Sequence, residues 1–335
     1  MTFQLSRRSF IIGAANAVEL AVVAHAAPLG ATGAKVRMTT GLRATSHSIA
    51  WIGTEAGVFR KHGVDASFPR LEVGGLETTA GLRRRDWEFA QTGTLPVAES
   101  KLQGGDAVIL LRNTTLDQVG LFIMTRPEFT SLGELAGRRI GVLVPPQSGQ
   151  SSMIAQVTLE KAGVSAVYVS LGTYRNIYEA LAAAEVDAGI LPIDFRFLGQ
   201  RHGWNSFETV SFNVPSIFAT TRRMIASDRD LVLRVVRGFV ETIHLFKTCP
   251  EVVAPLLQRY LKFDDRKSVD ALCRFYAPLF PTVPRPDVSG MQVLREALVS
   301  RYPAARQLQE PDIVDSSIID EVEQSGFIRQ LYAGG

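Results

Sequence analysis

The chain has 335 residues, of which 46% are hydrophobic and 21% charged, and its formal net charge is +3. That composition excludes a disordered or collagen-like chain and leaves room for two lobes of ordinary size. The charge is too small to argue for nucleic acid, and the longest basic run, Arg83–Arg85, reads as a solvated helix end.

The first residues read as a targeting segment rather than as part of the fold. Arg7 and Arg8 precede Phe10 in SRRSFII, and an Ala-rich stretch ends in Ala24-His25-Ala26. This resembles a twin-arginine export signal over residues 1–26, cleaved near Ala26, and it predicts a periplasmic location. Asn16 and Glu19 interrupt the apolar region. It falls short of the roughly 20 apolar residues that cross a bilayer. Export would permit a disulfide between the two cysteines, Cys249 and Cys273; two buried reduced thiols are the expectation.

A first strand is predicted at 35–41, followed by a polar loop at 42–47. The helix that follows carries Ile49, Ile52, Ala56 and Phe59 on one face and stops at His62-Gly63. Then come a strand at 64–72, in which Pro69 marks an edge position or an irregularity, a Gly74-Gly75 turn and a helix at 76–85. A strand at 87–91, a helix at 94–103 and a strand at 107–111 complete a β-α alternation. The pattern pauses at the apolar strand 120–125. It resumes as strand 140–144, helix 150–162, strand 166–170, helix 174–184 and strand 186–191. A second apolar strand, 216–220, precedes an almost wholly helical tail. There, Val232, Val235, Val236, Phe239, Ile243 and Phe246 line one face of a helix at 228–247. Further helices are expected at 251–261, 265–279, 287–302 and 312–324.

Two β-α blocks joined by two extended crossings predict two α/β lobes on a hinge, with a ligand cleft between them. A single large doubly wound domain is the alternative. In the stretch Arg138–Gly163, an apolar strand leads through a Pro/Gly/Ser-rich loop into a helix. Ser148, Gly149, Ser151 and Ser152 therefore stand where unpaired backbone N–H groups and small hydroxyls converge. The plainer reading of the same residues is a helix cap.

Four passages carry a family resemblance. EAGVFRKHGVDASF (55–68), VGGLETTAGLRRRDWEFAQTGTLP (73–96), LGELAGRRIGVLVPPQSGQSSMIAQVTLEKAGV (132–164) and EALAAAEVDAGILP (179–192) occur in the order expected of one group. Together they resemble the nitrate/sulfonate/taurine and thiamine-pyrimidine group of periplasmic substrate-binding proteins of ABC importers. Ala184-Glu185 departs from the usual Gly before Val186-Asp187-Ala188, and Pro145-Pro146 lengthens the loop before Ser148. The resemblance implies a type II periplasmic-binding-protein fold, α/β, with two lobes joined by two hinge strands. Lobe 1 is expected at 35–122 and 221–335, and lobe 2 at 123–220.

It also implies that ligand contacts come from loops after the sheet strands. The candidates are Arg43, Ser46 and His47 in the first loop, and Gly75, Glu77 and Thr78 in the second. Thr92, Gly93 and Thr94 form the third. The second lobe offers Ser148, Gly149, Gln150 and Ser151, with Asp194 after the last strand. Arg43 suits an anionic head group, whereas Asp194 suits an amine or a helix cap. Asp187 is expected to be structural.

There is no phosphate loop, dinucleotide fingerprint or nucleophile elbow. His25, His47, His62, His202 and His244 show no metal-ligand spacing. The expectation is a cofactor-free binding protein, not an enzyme. It captures a small organic anion, such as a sulfonate, a taurine-like solute or a related nitrogen or sulfur compound. Its partners are that solute and, by transient docking, an inner-membrane ABC permease, the protein itself being a monomer. An enzyme of desulfinase or thiamine-pyrimidine-synthase type, or a sensor subunit, is the alternative.

Overall fold

The structure, a computed structural model, describes residues 33–115, 120–211 and 214–334; the export signal expected at 1–26 lies outside them. Among the described residues, ten strands form two five-stranded sheets. The first contains β1 (Ala34–Thr40), β2 (Val64–Ser67), β3 (Phe89–Gly93), β4 (Ala107–Arg112) and β10 (Ser216–Thr221) in the order β2-β1-β3-β10-β4. The second contains β5 (Leu121–Thr125), β6 (Arg139–Val142), β7 (Val167–Ser170), β8 (Ala188–Pro192) and β9 (Asn205–Glu208) in the order β7-β6-β8-β5-β9. The β1–β2, β1–β3, β6–β7 and β6–β8 pairs are parallel. Each sheet receives one antiparallel strand, β10 between β3 and β4 and β5 between β8 and β9. This is the two-lobed α/β architecture that the sequence predicts.

Helices α1 (Ile49–Glu55), α2 (Val58–Lys61), α3 (Gly75–Arg84) and α4 (Thr94–Leu102) follow strands of the first sheet. Helices α5 (Gln150–Lys161), α6 (Tyr174–Ala182) and α7 (Ile193–Gly199) follow strands of the second. The tail begins with α8 (Arg222–Ser227), α9 (Arg229–Thr248), α10 (Pro250–Leu261) and α11 (Arg266–Tyr276).

Several boundaries shift for identifiable reasons. The helix expected across 49–59 divides at Gly57, whose φ of 74° breaks the right-handed path. The strand expected to reach residue 72 ends at Ser67, since Pro69 has no N–H to donate and Glu72 adopts a φ of 61°. The tail helix expected at 287–302 shortens to Met291–Leu298, and the one at 312–324 divides at Val314. Ser216–Thr221, expected in the second lobe, pairs within the first sheet instead. Strand β9 had no counterpart in the sequence pattern.

The predicted face of α9 is the centre of the main core, with Val232, Val235, Val236, Phe239 and Ile243 fully buried. Helices α1 and α2 pack on it closely. A Cβ placed on Gly238 would lie 2.5 Å from the Phe59 ring, and one on Gly53 would lie 2.2 Å from the Thr242 hydroxyl. Asp187 is structural as expected: it accepts from the Arg139 amide at 2.9 Å and pairs with Arg126 at 2.9 Å. Cys249 and Cys273 are both free, and burial pushes the Cys273 thiol up to about 11.

Candidate functional site

A cavity of about 420 Å³ is lined from both lobes. The first-lobe wall comes from Gly41-Leu42, from 72–77, from Thr92-Gly93 and from the start of α4. The second-lobe wall comes from Leu143-Val144, from 148–151 and from 172–174. Each wall is a strand-to-helix junction, so the first turns of α3, α4, α5 and α6 all meet the same space. The first turn of a helix leaves backbone N–H groups without intrahelical partners and carries roughly half a positive charge. Thr173 caps α6 by accepting from the Asn176 amide; in the other three the cap residue is glycine (Gly74, Gly93 and Gly149), with no side chain of its own to satisfy the amides.

The walls are otherwise mainly apolar. Leu76 on α3 is 40% exposed and Val144 across the cavity is 36% exposed, so two large hydrophobic side chains from opposite lobes stay open. Leu95 and Pro96 complete that side. Gly149 admits Val144: an added Cβ would lie 2.5 Å from its methyl group. Tyr174, the first residue of α6, is buried and lines the cavity; its hydroxyl lies near Ser151 but makes no hydrogen bond of normal geometry. Burial pushes that phenol well above its usual range, which keeps it a hydrogen-bond donor at any ordinary pH.

Gln150 ties the lobes together. Its side-chain oxygen accepts from the Leu95 amide at 3.0 Å, filling the cap position of α4. Its side-chain nitrogen donates to the Val214 carbonyl, also at 3.0 Å. Glycine is required at residue 93 for this approach, since a Cβ there would lie 2.7 Å from Gln150 Oε1. Gln150→Ala leaves both buried backbone groups unpaired and should cost about 1–3 kcal/mol, read from urea unfolding curves; an unchanged midpoint would contradict this role.

Of the residues singled out in the sequence, Gly75, Glu77, Thr92, Gly93, Ser148, Gly149, Gln150 and Ser151 line the cavity. The remainder support its walls. The Thr78 hydroxyl donates to the Gly75 carbonyl and lies 3.0 Å from the Thr92 hydroxyl. Thr94 donates to the Pro215 carbonyl at 2.8 Å. Arg43 donates to Glu72 at 3.1 Å and to the Tyr260 carbonyl at 2.6 Å. Ser46 and His47 are buried, with Ser46 Oγ 3.1 Å from His47 Nδ1. Burial lowers the His47 imidazole to about 4, so it is neutral at ordinary pH.

Asp194 is fully buried. It accepts from the Thr45 amide at 2.8 Å, from the Thr45 hydroxyl, and from the Tyr276 hydroxyl at 3.3 Å. It is thus a second polar tie, between the loop after β1 and the first turn of α7. The sequence reading missed Glu72, Leu76, Leu95, Val144 and Tyr174. Tyr174 was within reach, because it opens a helix after a predicted strand, just as Gln150 does.

No family model matches the chain. A protein of Brucella abortus (strain 2308), described only as a binding protein, is 26% identical over 232 residues, covering 65% of this chain and 68% of its own. The alkanesulfonate-binding protein SsuA of Xanthomonas axonopodis pv. citri, solved with MOPS bound, superposes with a TM-score of 0.67 at 14% identity, over 85% of this chain and 100% of its own. The periplasmic nitrate-binding protein NrtA of Synechocystis PCC 6803 superposes with a TM-score of 0.62 at 11% identity, over 88% and 89%. A cysteine-to-serine mutant of DSZB bound to biphenyl-2-sulfinic acid superposes with a TM-score of 0.57 at 16% identity, over 87% and 99%. The fold is therefore that of the periplasmic binding proteins, and these likenesses support the resemblance read from the sequence.

Proposed function

We propose that this protein, which has the periplasmic-binding-protein fold, is the solute-binding component of an ABC importer. The observation that carries this reading is the convergence of four helix N-termini from two lobes on one largely apolar cavity. Such a site suits a small organic solute with one hydrogen-bond-accepting head group and a hydrocarbon body; sulfonates and taurine-like compounds fall in that class. The amides and the Tyr174 hydroxyl meet the head group, and Leu76, Leu95 and Val144 meet the body. The solute shifts the population from an open to a closed form, which docks transiently on an inner-membrane permease. Export through the twin-arginine route and a monomeric state belong to the same reading. We place the lobe boundaries just before Leu121 and between Glu208 and Ser216, following the sheets.

A cysteine-dependent enzyme on this fold is disfavoured by where the thiols sit. Cys249 caps α10 and Cys273 lies within α11, and neither lines the cavity. Calorimetric titration with alkane- and arylsulfonates, aromatic carboxylates, nitrate and pyrimidines tests the proposal. One binding event per chain with at least one organic class is expected. Failure with every class contradicts it.

A further inference from the structure

Among the described residues that line the cavity there is no Lys, Arg or His, yet Glu72, Glu77 and Glu99 are there. Each carboxylate is already engaged by a cation that does not line the cavity. Glu77 pairs with Arg84 at 2.5 Å and Arg70 at 3.6 Å. Glu99 pairs with Arg301 at 2.8 Å and accepts from the Tyr302 hydroxyl at 3.0 Å. Glu72 pairs with Arg43 at 3.1 Å.

The Glu72 pair differs from the other two. Glu72 has a φ of 61°, a left-handed conformation in which a residue with a Cβ is strained. Arg43 follows Leu42, itself part of the wall, and its guanidinium is further held by the Tyr260 carbonyl at 2.6 Å and over the Tyr260 ring at 5.6 Å. A residue in a sparsely populated backbone conformation thus fixes a cation one position from the cavity.

We infer that Glu72 is a specificity-determining residue: by engaging Arg43 it withholds a guanidinium from the cavity. The inference rests on the reading of that cavity as the solute site. With Arg43 committed, the only donors that the lining offers a head group are amides and hydroxyls. A small oxyanion such as sulfate or nitrate needs its charge compensated on every side, and these partial charges do so poorly. A solute with one acceptor head group and an apolar body needs less, because its hydrocarbon is buried on Leu76, Leu95 and Val144. Glu72 therefore biases the site towards organic solutes and against small inorganic oxyanions.

Sulfate is the probe for the test, titrated by calorimetry against the full chain at low and high salt. Glu72→Gln keeps the shape and removes the charge. Glu72→Gly removes the side chain and suits the φ of 61°. Both should gain at least about tenfold in sulfate affinity, more at low salt than at high. Adding Arg43→Ala should abolish the gain. Unchanged sulfate affinity in both variants, or a gain that survives without Arg43, overturns the inference. Adding Ala80→Trp to Glu72→Gln fills the cavity and separates the two levels. If the gain persists with the cavity filled, the reading of the cavity itself fails. If the gain is lost on filling but does not depend on Arg43, only the role of Glu72 fails.

Discussion

Asp194→Ala is expected to destabilise the protein by about 3 kcal/mol, because it leaves the Thr45 amide and hydroxyl and the Tyr276 hydroxyl buried without an acceptor. The same change removes a tie between the lobes, so solute affinity should fall with stability. Denaturant unfolding measures the first and calorimetry the second; a loss under about 1 kcal/mol would show that the tie is dispensable. Asp194→Asn tests the charge. Burial raises the folded-state carboxyl above its unfolded value, and the Thr45 donors pull it back only in part. A raised carboxyl stabilises most below its unfolded value, near about 3.9, and that stability is lost as pH rises through the folded value. His47 has the opposite slope. Its folded value of about 4 lies below the usual 6.5, so its stabilising effect is present above the unfolded value and lost as pH falls. Tyr174, Tyr260 and Tyr276, the tyrosines that sense the Asp194 charge, are raised by burial and stay neutral across this range. The wild type should therefore lose stability relative to Asp194→Asn on passing from acid towards neutral pH. Parallel profiles would contradict the buried, cross-lobe placement of the carboxyl.

Tyr174→Phe should separate binding from folding. In the solute-free protein the hydroxyl is buried beside Ser151 without a hydrogen bond of normal geometry, so its removal should leave stability unchanged or raise it by up to about 1 kcal/mol. If that hydroxyl meets the head group, affinity for the tightest-binding sulfonate or carboxylate should fall about tenfold, the loss of one hydrogen bond. Unaltered affinity would move the head group elsewhere in the cavity. Reduced stability would mean the hydroxyl has a protein partner.

The alternation of strands and helices made the two lobes legible, because each junction is a local event. Gly75, Thr92-Gly93 and Ser148–Ser151 could be placed on the cavity by one rule, that a strand end feeding a helix start exposes amides. Charged residues obeyed no such rule. Arg43 looks like an anion ligand until Glu72 is brought to 3.1 Å, and Asp194 looks like an amine ligand until Thr45 closes on it from 149 positions away. Which partner a charge finds is a tertiary fact. The apolar walls were hidden for a different reason: Leu76 and Val144 sit in patterns indistinguishable from core, and only the fold leaves them uncovered. Strand β9 was missed because Asn205–Glu208 is too short and polar to show alternation.

Native mass spectrometry of protein purified without denaturation tests the central claim most directly, comparing the wild type with Ala80→Trp, which fills the cavity. The expected result is one small-molecule adduct per wild-type chain, retained from the cell or restored by the tightest-binding solute, and none on the filled variant. An adduct of equal occupancy on both proteins, or none on either after addition of every solute class, would contradict a solute clamp at this site.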